Sequence, residues 1–247
     1  MNPAPARGFR PLPWDSALFG FPVARISPDV VHGGLLEHAI GALRSEGVQL
    51  AYVSVPWSDA DATAALTLVG ARCVDRKVRF RKEAITSRQP PPGIKSVVGH
   101  PCTADLEQLA LVSGTYSRFR ADPRIAPEVF EKLYVAWMHR SMAGEIARDV
   151  LVIHEGSSCV GMVTVAESDG GSTGTIGLIA VADGHRGQGH GKRLMLGAEA
   201  WCAARGLTAM EVVTQMRNVA ACGLYAACGY GIVGDEAVFH IWPGCGR

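Results

Sequence analysis

The run His185-Arg186-Gly187-Gln188-Gly189-His190-Gly191, followed by Lys192 and Arg193, most constrains what this chain can fold into. Three glycines in five positions remove the Cβ atoms that would keep a ligand off the backbone and allow φ values that other residues avoid. The segment before it, Thr173 to Val181, is short, β-branched and bounded by turn residues, and so reads as a buried strand. After it, Leu194, Ala198 and Trp201 make an apolar helical stripe that ends at Arg205-Gly206, a basic last turn and a C-terminal glycine. A strand that enters a helix through glycines leaves free N–H groups at the helix start, a natural anion site.

The spacing excludes the commonest phosphate loops. A P-loop ending at Gly191-Lys192 needs Gly at the position of Arg186 and Ser or Thr at that of Arg193. A dinucleotide fingerprint starting at Gly187 needs its third glycine at Lys192. What remains, Arg186-x-x-Gly189-x-Gly191, resembles the acetyl-coenzyme A loop of the GCN5-related N-acetyltransferases (GNAT). A second segment, Asn218-x-x-Ala221-x-x-Leu224-Tyr225-x-x-x-Gly229-Tyr230, is similar to another motif of that family and follows in the family's order. Read without the resemblance, the loop also fits close packing of a helix on a sheet. Tyr225 shares a helical face with Ala221, Cys222 and Cys228, as a core tyrosine does.

The resemblance implies a fold and a site. The fold is α/β (α+β): a mixed, mostly antiparallel sheet flanked by helices, with a splayed central strand pair, plus a smaller N-terminal α/β lobe. Acetyl-coenzyme A is the implied co-substrate. Arg186, Gly187, Gln188, Gly189, His190, Gly191 and Asn218 are placed at it, and Leu178, Ile179, Ala180 and Val181 along its pantetheine arm. Tyr225 serves the departing thiolate. The base is not visible, because Thr175 to Ile179 carries no carboxylate; a water relay, His154, Glu167 or His240 are the alternatives, with His240 in the final strand named as the catalytic candidate.

With 247 residues, 48% apolar, the chain is long enough for one large or two smaller domains. A net charge of +1, with no basic patch interleaved with aromatics, speaks against nucleic acid. No apolar run reaches the ~20 residues of a membrane span and the start lacks an apolar signal core, so the expectation is a cytoplasmic protein without a membrane partner. Seven cysteines without C-x-x-C or Cys/His spacing suit a reducing compartment, and no metal is implied. A homodimer is compatible with all of this. We see no internal repeat of solenoid length.

Ser87 to Gly93, rich in proline, is the clearest boundary, giving an N-terminal lobe over 1–88 and an acetyltransferase domain over 93–247. The lobe alternates strand and helix: strands at Val23 to Ile26, Gln49 to Val55 and Asp75 to Arg81, helices at Leu35 to Arg44 and Ala60 to Val69. Its opening Trp14-Asp15-Ser16-Ala17-Leu18-Phe19-Gly20 resembles the start of a narrower group, sugar-nucleotide N-acetyltransferases similar to TDP-fucosamine acetyltransferase. Tyr116-Ser117-Arg118-Phe119 through Asp122-Pro123, and Thr214-Gln215-Met216-x-Asn218, resemble that group as well. The expected acceptor is therefore a nucleotide-linked amino-deoxy sugar, with Trp14, Tyr116, Arg118 and Phe119 as acceptor-binding candidates and the lobe contributing. Trp14 and Phe19 equally suit core anchors, and the two arginines of the loop a solvated surface. Acetyl transfer to a protein N-terminus, polyamine or antibiotic, and a non-catalytic coenzyme A-binding module, are the alternative functions.

Overall fold

Local sequence sets most of the elements. Asp59, Thr103 and Asn218 each accept a hydrogen bond from a backbone N–H three residues on (Ala62 2.9 Å, Leu106 3.4 Å, Ala221 3.2 Å), capping the helices α4 (Ala60–Leu68), α5 (Ala104–Ser113) and α9 (Val219–Ala227). Gly206, at φ 75°, follows the end of α8 (His190–Ala204) in the left-handed region that glycine tolerates. The computed structural model describes residues 8–86, 89–168 and 170–244. Two compact units emerge, each with its own core.

Among the described residues, the first unit comprises 8–77, 121–129 and 235–244. Its strands β1 (Phe9–Pro11), β2 (Val23–Ile26) and β3 (Leu50–Pro56) are joined by β10 (Gly231–Ile241) through its residues from Glu236 onward. β1 and β2 run antiparallel, β2 and β3 parallel, β3 and β10 antiparallel, with Phe239 opposite Val53. The helices α1 (Pro13–Phe19), α2 (Pro28–His32), α3 (Leu36–Ser45) and α4 belong here. Leu36, Ala39, Ile40 and Leu43 turn one face of α3 into the core with Ile26, Val53 and Phe239.

The second unit comprises 78–120 and 130–234. Strands β5 (Ile94–Ser96), β6 (Asp149–Glu155), β7 (Ser158–Glu167) and β8 (Thr173–Val181) pair antiparallel in order, and β9 (Ala209–Gln215) joins β8 in parallel. This is the mixed, mostly antiparallel sheet expected. Helices α5, α6 (Arg118–Ala121) as far as Arg120, α7 (Pro127–Met142) from Phe130 onward, α8 and α9 accompany it. The predicted stripe of α8 is buried: Leu194 and Ala198 are fully enclosed, and Trp201 nearly so. Each such large apolar side chain contributes about 1.5–3 kcal/mol on leaving water.

The units divide elsewhere than at the proline-rich connector, whose Ser87 and Arg88 lie outside the described residues. The chain passes from one unit to the other within β4 (Arg72–Lys82), between Lys77 and Val78. Arg76 donates two hydrogen bonds to Asp235 in the first unit (2.9 and 2.6 Å), whereas Val78 and Phe80 belong to the core of the second. Among the described residues no helix is long and apolar enough to cross a membrane, and Cys73, Cys102, Cys159, Cys202, Cys222 and Cys228 are all free thiols.

Candidate active site

Two neighbouring strands part company at the centre of the second unit. β8 and β9 pair from Thr173 opposite Ala209 to Ile176 opposite Val212; beyond this β8 runs on to Val181 and β9 to Gln215 without pairing. The departure begins at a bulge. Val165 faces Ile176 and Val163 faces Ile179, so Gly177 and Leu178 together oppose Thr164. The Leu178 N–H, taken out of the ladder, donates to Thr164 Oγ1 at 2.8 Å. A Cβ on residue 177 would lie 2.8 Å from the same oxygen, so the bulge demands glycine.

Past the bulge, β8 leads through a short 3₁₀ turn, Asp183–His185, into the glycine loop. Gly187 (φ 76°) and Gly189 (φ 82°) hold left-handed conformations. Gly191 serves a different end: a Cβ there would come within 3.1 Å of the Leu224 side chain, so its absence lets α8 and α9 approach. The first intrahelical bond of α8 runs from the Arg193 N–H to Gly189 O (3.1 Å), leaving the N–H groups of His190, Gly191 and Lys192 without helical acceptors. That is an anion cradle backed by a helix dipole.

A cavity of about 510 Å³ opens here. Ile179, Ala180 and Val181 of β8, Arg186, Gly187, Gly189, His190 and Gly191 of the loop, and Asn218, Leu224 and Tyr225 of α9 line it, together with Tyr116 and the end of α5. Most of the expected coenzyme residues thus meet in one place. Two do not line it: Leu178 sits in the bulge, and Gln188 turns its amide to Gly184 O (3.4 Å). Tyr225 is both core and site, 2% exposed, with Phe80 edge-on at 5.4 Å, yet part of the cavity wall. Burial, reinforced by the nearby Cys222, pushes its phenol well above the ordinary tyrosine range, so it stays protonated.

The acceptor candidates separate. Tyr116 lines the cavity; Phe119 is buried against Trp137 (6.2 Å, edge-on), with the Arg118 guanidinium 4.4 Å above its ring. Trp14 lies on α1 in the first unit, where the motif's other residues have structural work. Ser16 Oγ donates to Leu12 O (2.8 Å) and accepts from the Val23 N–H (2.9 Å), Phe19 is buried on Phe21, and Gly20 ends the helix at φ 77°. His240 is fully buried in the first unit, 2.8 Å from Asp122 Oδ2 and stacked at 5.0 Å on Tyr52. It does not line the cavity, and neither do the exposed His154 and Glu167.

Sequence reasoning missed Thr164, Asp122 and Arg217. Arg217, the unassigned position between Met216 and Asn218, donates to Tyr116 O (3.1 and 2.7 Å) and Ser117 O (3.1 Å). It thereby ties the start of α9 to the turn carrying Tyr116, joining two segments that had been noted separately. Asp122 stood inside a quoted motif, but its acceptance from Trp242 Nε1 (2.9 Å) links residues 120 apart, which no local pattern shows.

The acetyltransferase (GNAT) family matches residues 116–230, a span that holds the bulge, the glycine loop and the Tyr225 helix. Those residues form a GNAT domain. Acetyltransferases of this family take acetyl-coenzyme A as co-substrate, and the loop and splayed strands of this GNAT domain suit such a ligand. The dTDP-fucosamine acetyltransferase of Escherichia coli O6:H1 is 35% identical over 125 residues, 50% of this chain and 52% of that protein. The spore coat polysaccharide biosynthesis protein SpsD of Bacillus subtilis is 25% identical over 150 residues, 60% of this chain and 51% of that one. The chain spans about half the length of these curated relatives. A GCN5-related N-acetyltransferase from Sphaerobacter thermophilus has the same fold, with a TM-score of 0.62 at 16% identity over 97% of this chain and 77% of that structure.

Proposed function

We propose that this protein transfers an acetyl group from acetyl-coenzyme A to the amine of a nucleotide-linked amino-deoxy sugar by direct attack. The observation that carries the transfer is the cavity itself, which gathers an anion cradle, the end of β8 that has parted from β9, and a buried phenol. The loop N–H groups of Gly189 to Lys192 and the α8 dipole hold the coenzyme diphosphate. Backbone groups of Ile179 to Val181, released from pairing with β9, bind the pantetheine amides and polarise the thioester carbonyl. Attack forms the C–N bond and breaks C–S; the ammonium proton leaves to water, and the departing sulfur accepts a hydrogen bond from Tyr225. An ordinary thiol has a pKa of about 8.5. Because burial raises Tyr225 far above that, hydrogen-bond donation, rather than complete proton transfer, is the role its surroundings favour.

The sugar acceptor rests on the names of the two curated relatives, one an amino-sugar acetyltransferase and the other a polysaccharide biosynthesis protein. Tyr116, held by Arg217, is the aromatic face at which such an acceptor enters. The test is thiol release from acetyl-coenzyme A with a panel of nucleotide-linked amino sugars, polyamines, aminoglycosides and peptides. Turnover confined to nucleotide sugars supports the reading. Turnover only with the other amines removes the sugar acceptor, and no turnover with any, despite coenzyme binding, removes catalysis.

A further inference from the structure

Beside the glycine loop, three side chains converge that acetyl transfer does not use. Glu155, the last residue of β6, places Oε1 2.9 Å from His190 Nε2 and Oε2 3.0 Å from His185 Nδ1. Close as they are, neither ring nitrogen is aligned for a hydrogen bond: both are buried and lack a hydrogen-bond partner among the described residues. Proximity without alignment is not a hydrogen bond, and a buried imidazole nitrogen left without one is costly. His190 is only 5% exposed, so water does not relieve it. All three donor atoms lie within 4.8 Å of one another.

The geometry points to a binding site for one divalent transition-metal cation, with His185 Nδ1, His190 Nε2 and a Glu155 carboxylate oxygen as ligands. Donor atoms around tetrahedral zinc sit about 3.3 Å apart, since metal–ligand bonds are about 2.0–2.2 Å. Ligand atoms point at the metal rather than at each other, and nitrogens 2.9 and 3.0 Å from carboxylate oxygens without a hydrogen bond to them fit that arrangement. Two imidazoles and one carboxylate suit zinc and its neighbours in the divalent series better than calcium or magnesium, which prefer all-oxygen shells. One cost is visible. Ligation through Nε2 puts the ring proton of His190 on Nδ1, facing Arg193 Nη1 at 3.3 Å, so the guanidinium must ease away while Nη2 keeps its 2.6 Å bond to Pro92 O.

Both histidines also line the cavity. A cation turns the net charge of the cluster from −1 to +1 beside the N–H cradle, so metal and phosphate-bearing coenzyme bind cooperatively; this second part rests on the proposed function.

Untagged, chelator-treated protein titrated calorimetrically with Zn²⁺ tests the site. One tight equivalent is expected, weakened at least about 10–100-fold in Glu155→Gln and in His185→Gln, the loss that even outer-shell changes bring. These two residues are partly exposed, so the variants report even where His190→Gln fails to fold. Cys102, Glu107 and His139 form the other cluster of metal-ligating side chains in the described residues. Loss of the tight equivalent in Cys102→Ser, with Glu155→Gln unaffected, overturns the assignment, as does absence of a tight equivalent in the wild type. Coenzyme A affinity measured with and without Zn²⁺ is expected to rise several-fold with the metal in the wild type alone. Equal affinities overturn the coupling, and no coenzyme binding under either condition overturns the acetyl-transfer reading while the Zn²⁺ titration still stands or falls by itself.

Discussion

Tyr225 and Asp122 show how burial, with and without hydrogen-bonding partners for the charged form, sets opposite chemistries in two ionisable side chains. On Tyr225 desolvation and, less strongly, the nearby Cys222 act in the same direction, so its proton is held tightly. Tyr225→Phe keeps the ring against Phe80 and removes only the donor; kcat should fall about 10²–10³-fold, as when a donor to developing charge is lost, with acetyl-coenzyme A affinity nearly unchanged. An unaltered kcat would remove Tyr225 from the chemistry. The wild-type rate should also show no alkaline fall attributable to Tyr225 up to about pH 10, because a raised pKa keeps the donor protonated there. Burial also raises the carboxyl of Asp122, but hydrogen bonds from His240, Trp242 and the Arg124 N–H outweigh it and hold the pKa at about 2. A folded-state pKa below the unfolded value of about 3.9 contributes stability that is complete above pH 4 and disappears as pH falls through 2. Asp122→Asn should therefore cost about 1–3 kcal/mol at neutral pH, and that difference, measured by urea unfolding, should shrink between pH 4 and pH 2. A difference that stays constant to pH 2 contradicts the account.

Between residues and units, the informative element is β8, because its first half behaves as an ordinary ladder and its second half as a binding edge. Thr164 decides where the change falls by taking the Leu178 N–H that β7 cannot. Thr164→Val keeps the shape and deletes the acceptor, leaving a part-buried N–H unmet. The expected loss is about 1–3 kcal/mol, seen as a lower urea midpoint with an unchanged slope; an unshifted midpoint means the bulge is held by something else. The strand and the glycine loop were legible from sequence, since β-branched runs and glycine spacing are local signals. The bulge was not, because a threonine thirteen residues from Gly177 reveals its partner only once β7 and β8 are in register. For the same reason α1 was not foreseen as a helix: its seven residues depend on Pro13 at the start and on Ser16 bonding to Val23 rather than on apolar periodicity. The final strand was placed in the acetyltransferase domain, yet its residues from Glu236 pair with β3, whose location in sequence gives no hint of that choice.

Across the whole molecule the same order of elements occurs twice. In the first half β2, helices α2 and α3, β3, α4 and β4 follow one another, and in the second β8, α8, β9, α9 and β10, with β2–β3 and β8–β9 the parallel pairs. The second has three alternating glycines, Gly187, Gly189 and Gly191, at the start of its crossover helix; in the first, the corresponding turn is His32-Gly33-Gly34-Leu35, with the acidic Glu37 in the first turn of α3. An acid there repels phosphate, so one coenzyme per chain is expected from the chemistry of the loops rather than from the topology. Sequence did not show this duplication, because the order of elements recurs and the residues do not. The chain's path then bears on whether the halves can be separated. Residues 121–129 and 235–244 are distant in sequence from residues 8–77 yet belong to the same unit, where Ala237, Phe239 and Ile241 complete its core and Asp122 meets His240 and Trp242. A fragment beginning at Gly93 would keep the glycine loop and Tyr225 but lose β3, exposing the apolar strand Ala237 to Ile241 and the rest of a core it no longer has. Such a fragment should aggregate or unfold without cooperativity, in contrast to the full chain, when followed by near-ultraviolet circular dichroism and urea titration. A soluble, cooperatively folding fragment that still binds acetyl-coenzyme A would show that residues 235–241 do not need β3, and that the second unit is autonomous despite the way the chain is threaded.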